Sequence, residues 1–425
     1  MQTDKKFIIK YLFFILVITI CVDCQHIISS IPTGVKFKTN TIKRVGFRGD
    51  NWCITWASDG SQITSMDDGS WLSQNPSRDD RSWFTNGEPY YHTHLYRIRG
   101  DADNFTRNDI PGYPQFLWEG QGWFGYGICS VNGIIYSTVS KTPSHEWDGP
   151  FRGIKLLKAT DNGKNWYRVN RYGRERILKP NDEAREEVNQ EEMFFLEEFG
   201  MNKHGKTAYP FSFCSFVQNG QDNSAAQDEY IYIYSPEGAQ TNRLCLARVN
   251  SKTIEIRDTW EYFSGWKRNK PIWNKDITKR DAVHIFPEKN KVGEYFGWYS
   301  WLPSVVWNPG LKLYIMVNGG TYAGYGLSDS ENDYYDRWMH TKTGSLGFWY
   351  SQNPYGPWKQ FFYTNFWTAD DENNLTYQPK LSPKWISEDG KKMILIWSDA
   401  MKNEKGKSHT VNYLWNQMEI EILIK

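Results

Sequence analysis

Short apolar runs rich in β-branched and aromatic residues come in pairs along this chain, each pair split by a Gly turn. The clearest pair fills residues 49–69, Gly-Asp-Asn-Trp-Cys-Ile-Thr-Trp-Ala-Ser-Asp-Gly-Ser-Gln-Ile-Thr-Ser-Met-Asp-Asp-Gly. It predicts a strand, a tight turn at Asp59-Gly60 and a second strand. Weaker copies follow at residues 127–133 with 134–139, 211–217 with 229–235, 303–310 with 313–317, and 383–390 with 393–398. Later third strands are predicted at 94–99, 154–159, 243–249 and 345–351, and the chain ends on one more, 418–425.

Five such units in one repeated order predict an all-β chain folded as a five-bladed β-propeller. The spacing between units, roughly 75–95 residues, exceeds the usual blade repeat, and long inter-strand loops account for the excess. A two-sheet sandwich or a string of small β domains would also contain hairpins. Radial closure is preferred because open sheets of this length would leave long bare edges. Closure needs a latch, and residues 35–38 or 45–47 are the expected partners of 418–425.

Two turns support this. Residues 160–166, Thr-Asp-Asn-Gly-Lys-Asn-Trp, resemble a degenerate Asp-box of sialidase-type propellers, with Ala159 and Asn165 at its Ser and Thr positions. Residues 351–358, Ser-Gln-Asn-Pro-Tyr-Gly-Pro-Trp, are similar to a turn common in five-bladed glycosidase propellers. In both, Asp or Asn and Gly make the turn and Trp packs back onto the blade. They speak to fold, not to chemistry.

The chemistry is sought at the open end of the first hairpin. A hairpin brings its ends together, so Asp50 should lie near Asp67 or Asp68. Paired carboxylates on one rim suit glycosidic bond cleavage, and equally a sugar-binding or calcium site. Strand alternation lets only one of Asp67 and Asp68 face the channel. Asp59, at the far turn, reads as structural. Glu237 follows the second strand of the third unit, on the same rim, and is the third catalytic candidate. Asp399 holds the corresponding place in the fifth unit and, with Asp67, is a candidate substrate ligand. Trp52, Trp123, Tyr299 and Trp301 stand at or before innermost strands, where they either stack sugars or pack the core. His92 and His94 alternate along one strand; an exposed edge is the preferred reading over a metal pair. The acidic stretch 183–198 reads as a solvated loop rather than an inserted helix, with Glu197 or Glu198 able to approach the channel. No phosphate-binding Gly loop, Ser nucleophile elbow or Cys/His pair stands out, so no cofactor and no metal is implied.

Composition narrows the partners. The net charge of +1 leaves no electrostatic footprint for nucleic acid. Aromatic residues reach 16%, more than blade packing alone requires, which favours a glycan ligand. Lys5, Lys6 and Lys10 precede a short apolar run, residues 11–22, and Val22 and Cys24 suit a cleavage site. We therefore expect a signal peptide over 1–24 and one propeller domain over 25–425. The run is too short for a comfortable membrane span, which predicts a secreted, extracellular protein with no stable membrane insertion. Sequons at Asn104 and Asn374 are compatible with a secreted glycoprotein. Cys53, Cys129, Cys214 and Cys245 show neither disulfide nor zinc spacing and read as free, buried thiols.

The hairpin 49–69, the turn at 235–238 followed by 243–248, the hairpin 307–314 and the segment 377–385 together resemble a widespread family of secreted five-bladed propellers long labelled as a domain of unknown function. The resemblance covers nearly the whole mature chain. It is most specific in the first hairpin, with its Gly-Asp-Asn-Trp start and Asp-Gly finish. Some bacterial members are endo-D-arabinanases, and in that branch two aspartates of this hairpin are the catalytic pair. The resemblance thus implies Asp50 and Asp68.

Three functions follow in order: a secreted glycoside hydrolase acting on a polysaccharide or oligosaccharide, such as a furanoside of the arabinan kind; a glycan-binding propeller without cleavage; and a sialidase-type enzyme. The last would need an arginine cluster and a Tyr nucleophile, and only Arg44 and Arg48 lie near the rim.

Overall fold

The computed structural model describes residues 31–45, 49–70, 89–117, 122–141, 151–179, 188–197, 209–237, 242–286, 302–319, 346–364, 367–370, 374–402, 408–409 and 413–425. Among these, the only helical pieces are three-residue 3-10 turns. The rest of the regular structure is five antiparallel sheets, the blades of a propeller.

Blade 1 runs outward through Ile54–Trp56, Gln62–Gly69, Tyr91–Gly100 and Phe105–Asp109. Blade 2 follows with Trp123–Val131, Ile134–Lys141, Lys155–Ala159, Trp166–Val169 and Glu175–Leu178. Blade 3 holds Ser215–Phe216, Tyr230–Pro236, Arg243–Asn250, Glu261–Lys267 and Lys270–Asn274. Blade 4 holds Ser304–Asn308, Leu313–Gly319, Leu346–Ser351 and Lys359–Thr364. Blade 5 joins the two ends of the chain: Asn374–Ile386 and Lys392–Lys402 pair with Trp415–Ile424, which pairs in turn with Pro32–Phe37.

That last pairing is the latch. Val35 sits opposite Ile422 and Phe37 opposite Ile420, while Lys43–Val45 takes the other end of the same strand, with Lys43 opposite Gln417. The expected segment 35–38 is thus the partner of 418–425, whereas of the alternative 45–47 only Val45 lies among the described residues, and it pairs with Trp415, before that strand segment.

Closure is also visible at the axis. The innermost strands touch in ring order, blade 1 to 2 to 3 to 4 to 5 and back to 1. Polar side chains stitch them together: the Ser130 amide donates to Thr55 Oγ1 at 3.0 Å, Gln218 Nε2 to the Ile128 carbonyl at 2.9 Å, and the Leu381 amide to Ser304 Oγ at 3.0 Å. The apolar core is divided accordingly, one cluster at each blade interface. Leu95 and Trp166 belong to the cluster between blades 1 and 2, Phe211 and Tyr262 to that between 2 and 3, Tyr234 and Trp349 to that between 3 and 4, Leu381 and Trp397 to that between 4 and 5, and Trp52 and Trp415 to that between 5 and 1.

The turn motifs do structural work. Asp161 Oδ1 accepts from the amides of Lys164 and Asn165 at 3.0 and 2.9 Å, and Trp166 Nε1 donates back to the Gly163 carbonyl at 3.1 Å. Trp358 Nε1 donates to the Tyr234 hydroxyl of the neighbouring blade at 3.1 Å. Cys53, Cys129, Cys214 and Cys245 are free and buried. Burial pushes the Cys53 thiol up to about 11 and Cys129 up to about 12, so they are packing groups rather than nucleophiles.

Three expectations are corrected. Residues 188–197 are turns and one isolated bridge, Ile154 to Phe195, and Phe194 and Phe195 enter the core between blades 2 and 3. The segment is thus no freely solvated loop, and Glu197 pairs with Arg257 at 2.6 Å. The strand carrying His92 and His94 is not an exposed edge: it pairs on both sides, and both imidazoles are buried. The innermost strand of blade 5 starts at Asn374, not near 383, because it absorbs Pro379 and Pro383 at two register shifts. The signal segment 1–24 lies outside the described residues. No helix among the described residues is long and apolar enough to cross a membrane.

Candidate active site

The first hairpin converges as its sequence predicts. At its turn, the Ala57 amide donates to the Ser61 carbonyl at 2.8 Å, and Gly60 takes the left-handed φ of +79° the turn needs. At its open end, Asp50 and Asp67 exchange both backbone hydrogen bonds, each 2.9 Å. Residues so paired lie directly opposite, with side chains on one face and Cβ atoms about 5 Å apart.

Asp68 breaks the expected alternation. Its backbone is left-handed, φ 50°, as is Asn51 on the facing segment, φ 59°. Non-glycine residues adopt this conformation at some cost, Asn and Asp least so. The twist leaves Asp68 the most accessible of the three, its side chain 20% exposed, while Asp50 and Asp67 are buried at 7% and 2%. Both Asp67 and Asp68 stand within electrostatic reach of Asp50.

Neighbouring blades complete the cluster. From blade 5, the Tyr377 hydroxyl donates to Asp50 Oδ2 at 3.3 Å, and the Tyr413 hydroxyl also bonds the Asp50 carboxyl. The Tyr413 carbonyl and Ser398 Oγ in turn hold Gly49, at 3.2 and 3.1 Å. From blade 2, the Gly125 amide approaches Asp67 Oδ1 at 3.4 Å. Asn51 Nδ2 donates to Asp67 Oδ2 at 3.1 Å. His92, directly across the sheet from Asp68, places Nδ1 3.8 Å from Asp68 Oδ1, with the edge of its ring against Phe124, 4.8 Å between centroids. The site thus lies where the starts of several innermost strands meet.

Its electrostatics are those of crowded acids. Burial, then the charge of Asp68, raises the Asp50 carboxyl well above the usual carboxylate range; hydrogen bonds from Tyr413 and Tyr377 and the charge of Lys380 oppose this. Burial, then the charges of Asp50 and Asp68, raises Asp67 similarly. Two buried acids that resist ionisation beside a third, more solvated one are the arrangement that separates acid and base roles.

The other predicted residues fall elsewhere. Glu237 pairs with Arg280 at 2.9 Å inside blade 3. Asp399 accepts from Trp397 Nε1 at 2.9 Å; burial lifts it to about 7, and its charged neighbours are Arg44 and Asp370. Trp52 donates to Ser398 Oγ at 2.9 Å and packs edge-on against Trp415. Trp123 is fully buried with the Lys155 ammonium 4.5 Å from its ring. Neither ring is open to a sugar. Arg44 is bound to Asp370 at 2.8 Å. Tyr299, Trp301 and Arg48 lie outside the described residues. No group of three His, Cys, Asp or Glu residues suited to a metal ion occurs among the described residues.

The sequence reading missed Tyr377, Tyr413, Lys380 and the role of His92. The segment 377–385 drew notice only as part of a family likeness. His92 had a usable signal: it lies opposite Asp68 if the hairpin register is extended to the third strand.

No family model and no curated protein matches the chain. Among solved structures, it is similar to a Bacteroides ovatus protein assigned as a hydrolase, at 13% identity and a TM-score of 0.48 over 89% of this chain and 86% of that one. It is similar to the catalytic domain of a family 62 α-L-arabinofuranosidase from Coprinopsis cinerea, at 9% identity and a TM-score of 0.40 over 92% and 97%. It is also similar to a family 43 glycoside hydrolase from Xanthomonas citri, at 11% identity and a TM-score of 0.39 over 91% and 94%.

Proposed function

We propose that this chain is a secreted glycoside hydrolase that cleaves an oligosaccharide or polysaccharide, a furanoside of the arabinan kind being the favoured substrate. The observation that carries the reading is the cluster of Asp50, Asp67 and Asp68 where innermost strands begin, two of them raised and the third partly solvated. Asp50 protonates the leaving oxygen. Asp68, the more accessible carboxylate, attacks the anomeric carbon or activates a water. Asp67, paired with Asp50 across the hairpin, shares their charge. The separation of the two reacting carboxyls in the complex decides the outcome: about 5–5.5 Å gives retention and about 6.5–9.5 Å inversion.

The burial of Asp50 and Asp67 favours a second reading, a propeller that binds a glycan without cutting it. One assay separates the two. The purified mature protein is screened against diverse glycans, scoring binding and new reducing ends together. A hydrolase releases product from at least one glycan it binds. Binding with the glycan left intact across a broad pH range supports the binder, and neither binding nor cleavage of any glycan ends both readings.

A further inference from the structure

The outer edge of blade 3 is a hairpin, Glu261–Lys267 turning into Lys270–Asn274. Its tip gathers positive charge. Lys267 stands directly opposite Lys270, with Arg268 in the turn between them. Like charges so placed repel. Arg268 and Asn269 are both left-handed, φ 50° and 63°, as a two-residue hairpin turn requires. An arginine adopts that conformation at a cost that glycine avoids. All four tip residues are exposed.

The fold supplies no anion to offset this. Glu261 is bound to Arg248 at 2.8 Å and Asp281 to Arg243 at 2.5 Å. Asp276 accepts from the Thr278 amide at 2.9 Å. Among the described residues, Lys267, Arg268 and Lys270 form no ion pair. Residues 267–279 hold five cations and one acid, in a chain whose net charge is only +1.

An aromatic platform adjoins the cations. Trp266, directly before the tip, is 39% exposed. Its ring is held from the side by Phe263, edge-on at 5.3 Å, and by Tyr355 of blade 4 at 6.2 Å between centroids. Trp273 on the return strand lies 6.2 Å from Tyr355, with the Arg248 guanidinium 4.1 Å from its ring. Trp266 is thus the most exposed ring of a fixed group. A sugar presents an apolar C–H face that can bury against such an indole, while its carboxylate or sulfate groups suit Lys and Arg. A membrane surface suits the hairpin less, because the tip that would enter first, residues 267–270, is wholly polar.

We propose that the outer hairpin of blade 3 is a second, non-catalytic binding site, which holds an anionic polysaccharide by stacking a sugar ring on Trp266 and pairing its carboxylate or sulfate groups with Lys267, Arg268 and Lys270. The choice of a glycan as the polyanion rests on the reading of the chain as a glycan-acting protein. The site itself is independent of the aspartate cluster.

The test is calorimetric binding of the full mature chain to polygalacturonate and to heparin, with dextran, poly-dT and phosphatidylserine vesicles as controls. The wild type should bind at least one of the two anionic glycans, more weakly as salt rises, and should not bind dextran at the hairpin. The triple variant Lys267→Gln, Arg268→Gln, Lys270→Gln should lose about tenfold in affinity and show a shallower salt dependence. It should melt no lower than wild type, since it removes opposed like charges. Trp266→Ala should lose about tenfold with the salt dependence unchanged. Asp68→Asn should bind as wild type does, so loss of cleavage and loss of this site are read separately. Should the triple variant fail to fold, Lys270→Gln alone carries the charge test, with a smaller loss. No binding to either anionic glycan, unchanged affinity in the charge variant or in Trp266→Ala, or tighter binding of poly-dT or of the vesicles than of both glycans overturns the proposal.

Discussion

The two ends of the first hairpin carry the same residue type and treat it in opposite ways. At the turn, burial works against the charge of Asp59, yet hydrogen bonds from Ser61 and Asn162 and the guanidinium of Arg97 hold it below the usual carboxylate range. Arg97 Nη1 lies 2.8 Å from Asp59 Oδ2, with Arg99 at 3.5 Å. At the open end, Asp50 and Asp67 are buried beside further acids and rise. Hydrogen-bond donors together with a fixed guanidinium make a carboxylate a structural anion. Burial among other carboxyls makes it a group that keeps its proton above the usual carboxylate range.

The largest test of that contrast is catalytic. Asp50→Asn and Asp68→Asn should each lower cleavage by about 10²–10⁴-fold while leaving the fold and much of the glycan affinity intact, because Asn keeps the size of Asp but transfers no proton. Asp59→Asn should instead keep the turnover per folded molecule and cost about 1–3 kcal/mol of stability at neutral pH, since it strips Arg97 of its charged partner. Rates measured beside melting curves for the three variants check this. Equal rate losses at both ends of the hairpin would erase the distinction.

A steric test comes next. A Cβ on Gly125 would sit 2.4 Å from Thr93 Oγ1, and Thr93 is fully buried. Gly125→Ala should therefore cost about 1–3 kcal/mol through overpacking and displace the amide that approaches Asp67. Chemical denaturation reads the cost, and the pH–rate profile reads the displacement. The smallest effect is expected from Tyr377→Phe. It deletes one donor that favours ionised Asp50, so the carboxyl should rise and the alkaline limb of activity should move up by less than about one pH unit.

The fold was legible because each level of the sequence agreed: paired strands, Gly turns, Trp-anchored corners and a terminal strand without a local partner. The open hairpin end was legible for the same reason, since its register fixes Asp50 against Asp67. The remaining site residues come from other blades, and one blade's sequence holds no record of its neighbour's. Tyr377 and Lys380 sat behind Pro379 and Pro383, which punctuate the sequence as turns although the strand runs through them. Trp52 and Trp123 illustrate the reverse problem. A Trp at an innermost strand is a ligand platform or a core residue according to what covers its faces, here Trp415 and Lys155.

The most direct test of the contrast between the two ends is stability against pH for Asp59→Asn and Asp67→Asn, each relative to wild type. Asp67 has a raised folded-state value, so its contribution is fully present at low pH and is lost as pH rises from the ordinary carboxylate value, 3.8, through the raised one. Asp59 has a lowered value, so its contribution is present above 3.8 and lost as pH falls through the depressed one. From acid to neutral pH, Asp67→Asn should therefore gain stability relative to wild type while Asp59→Asn loses it, and the two difference curves should diverge. Parallel curves would contradict the account.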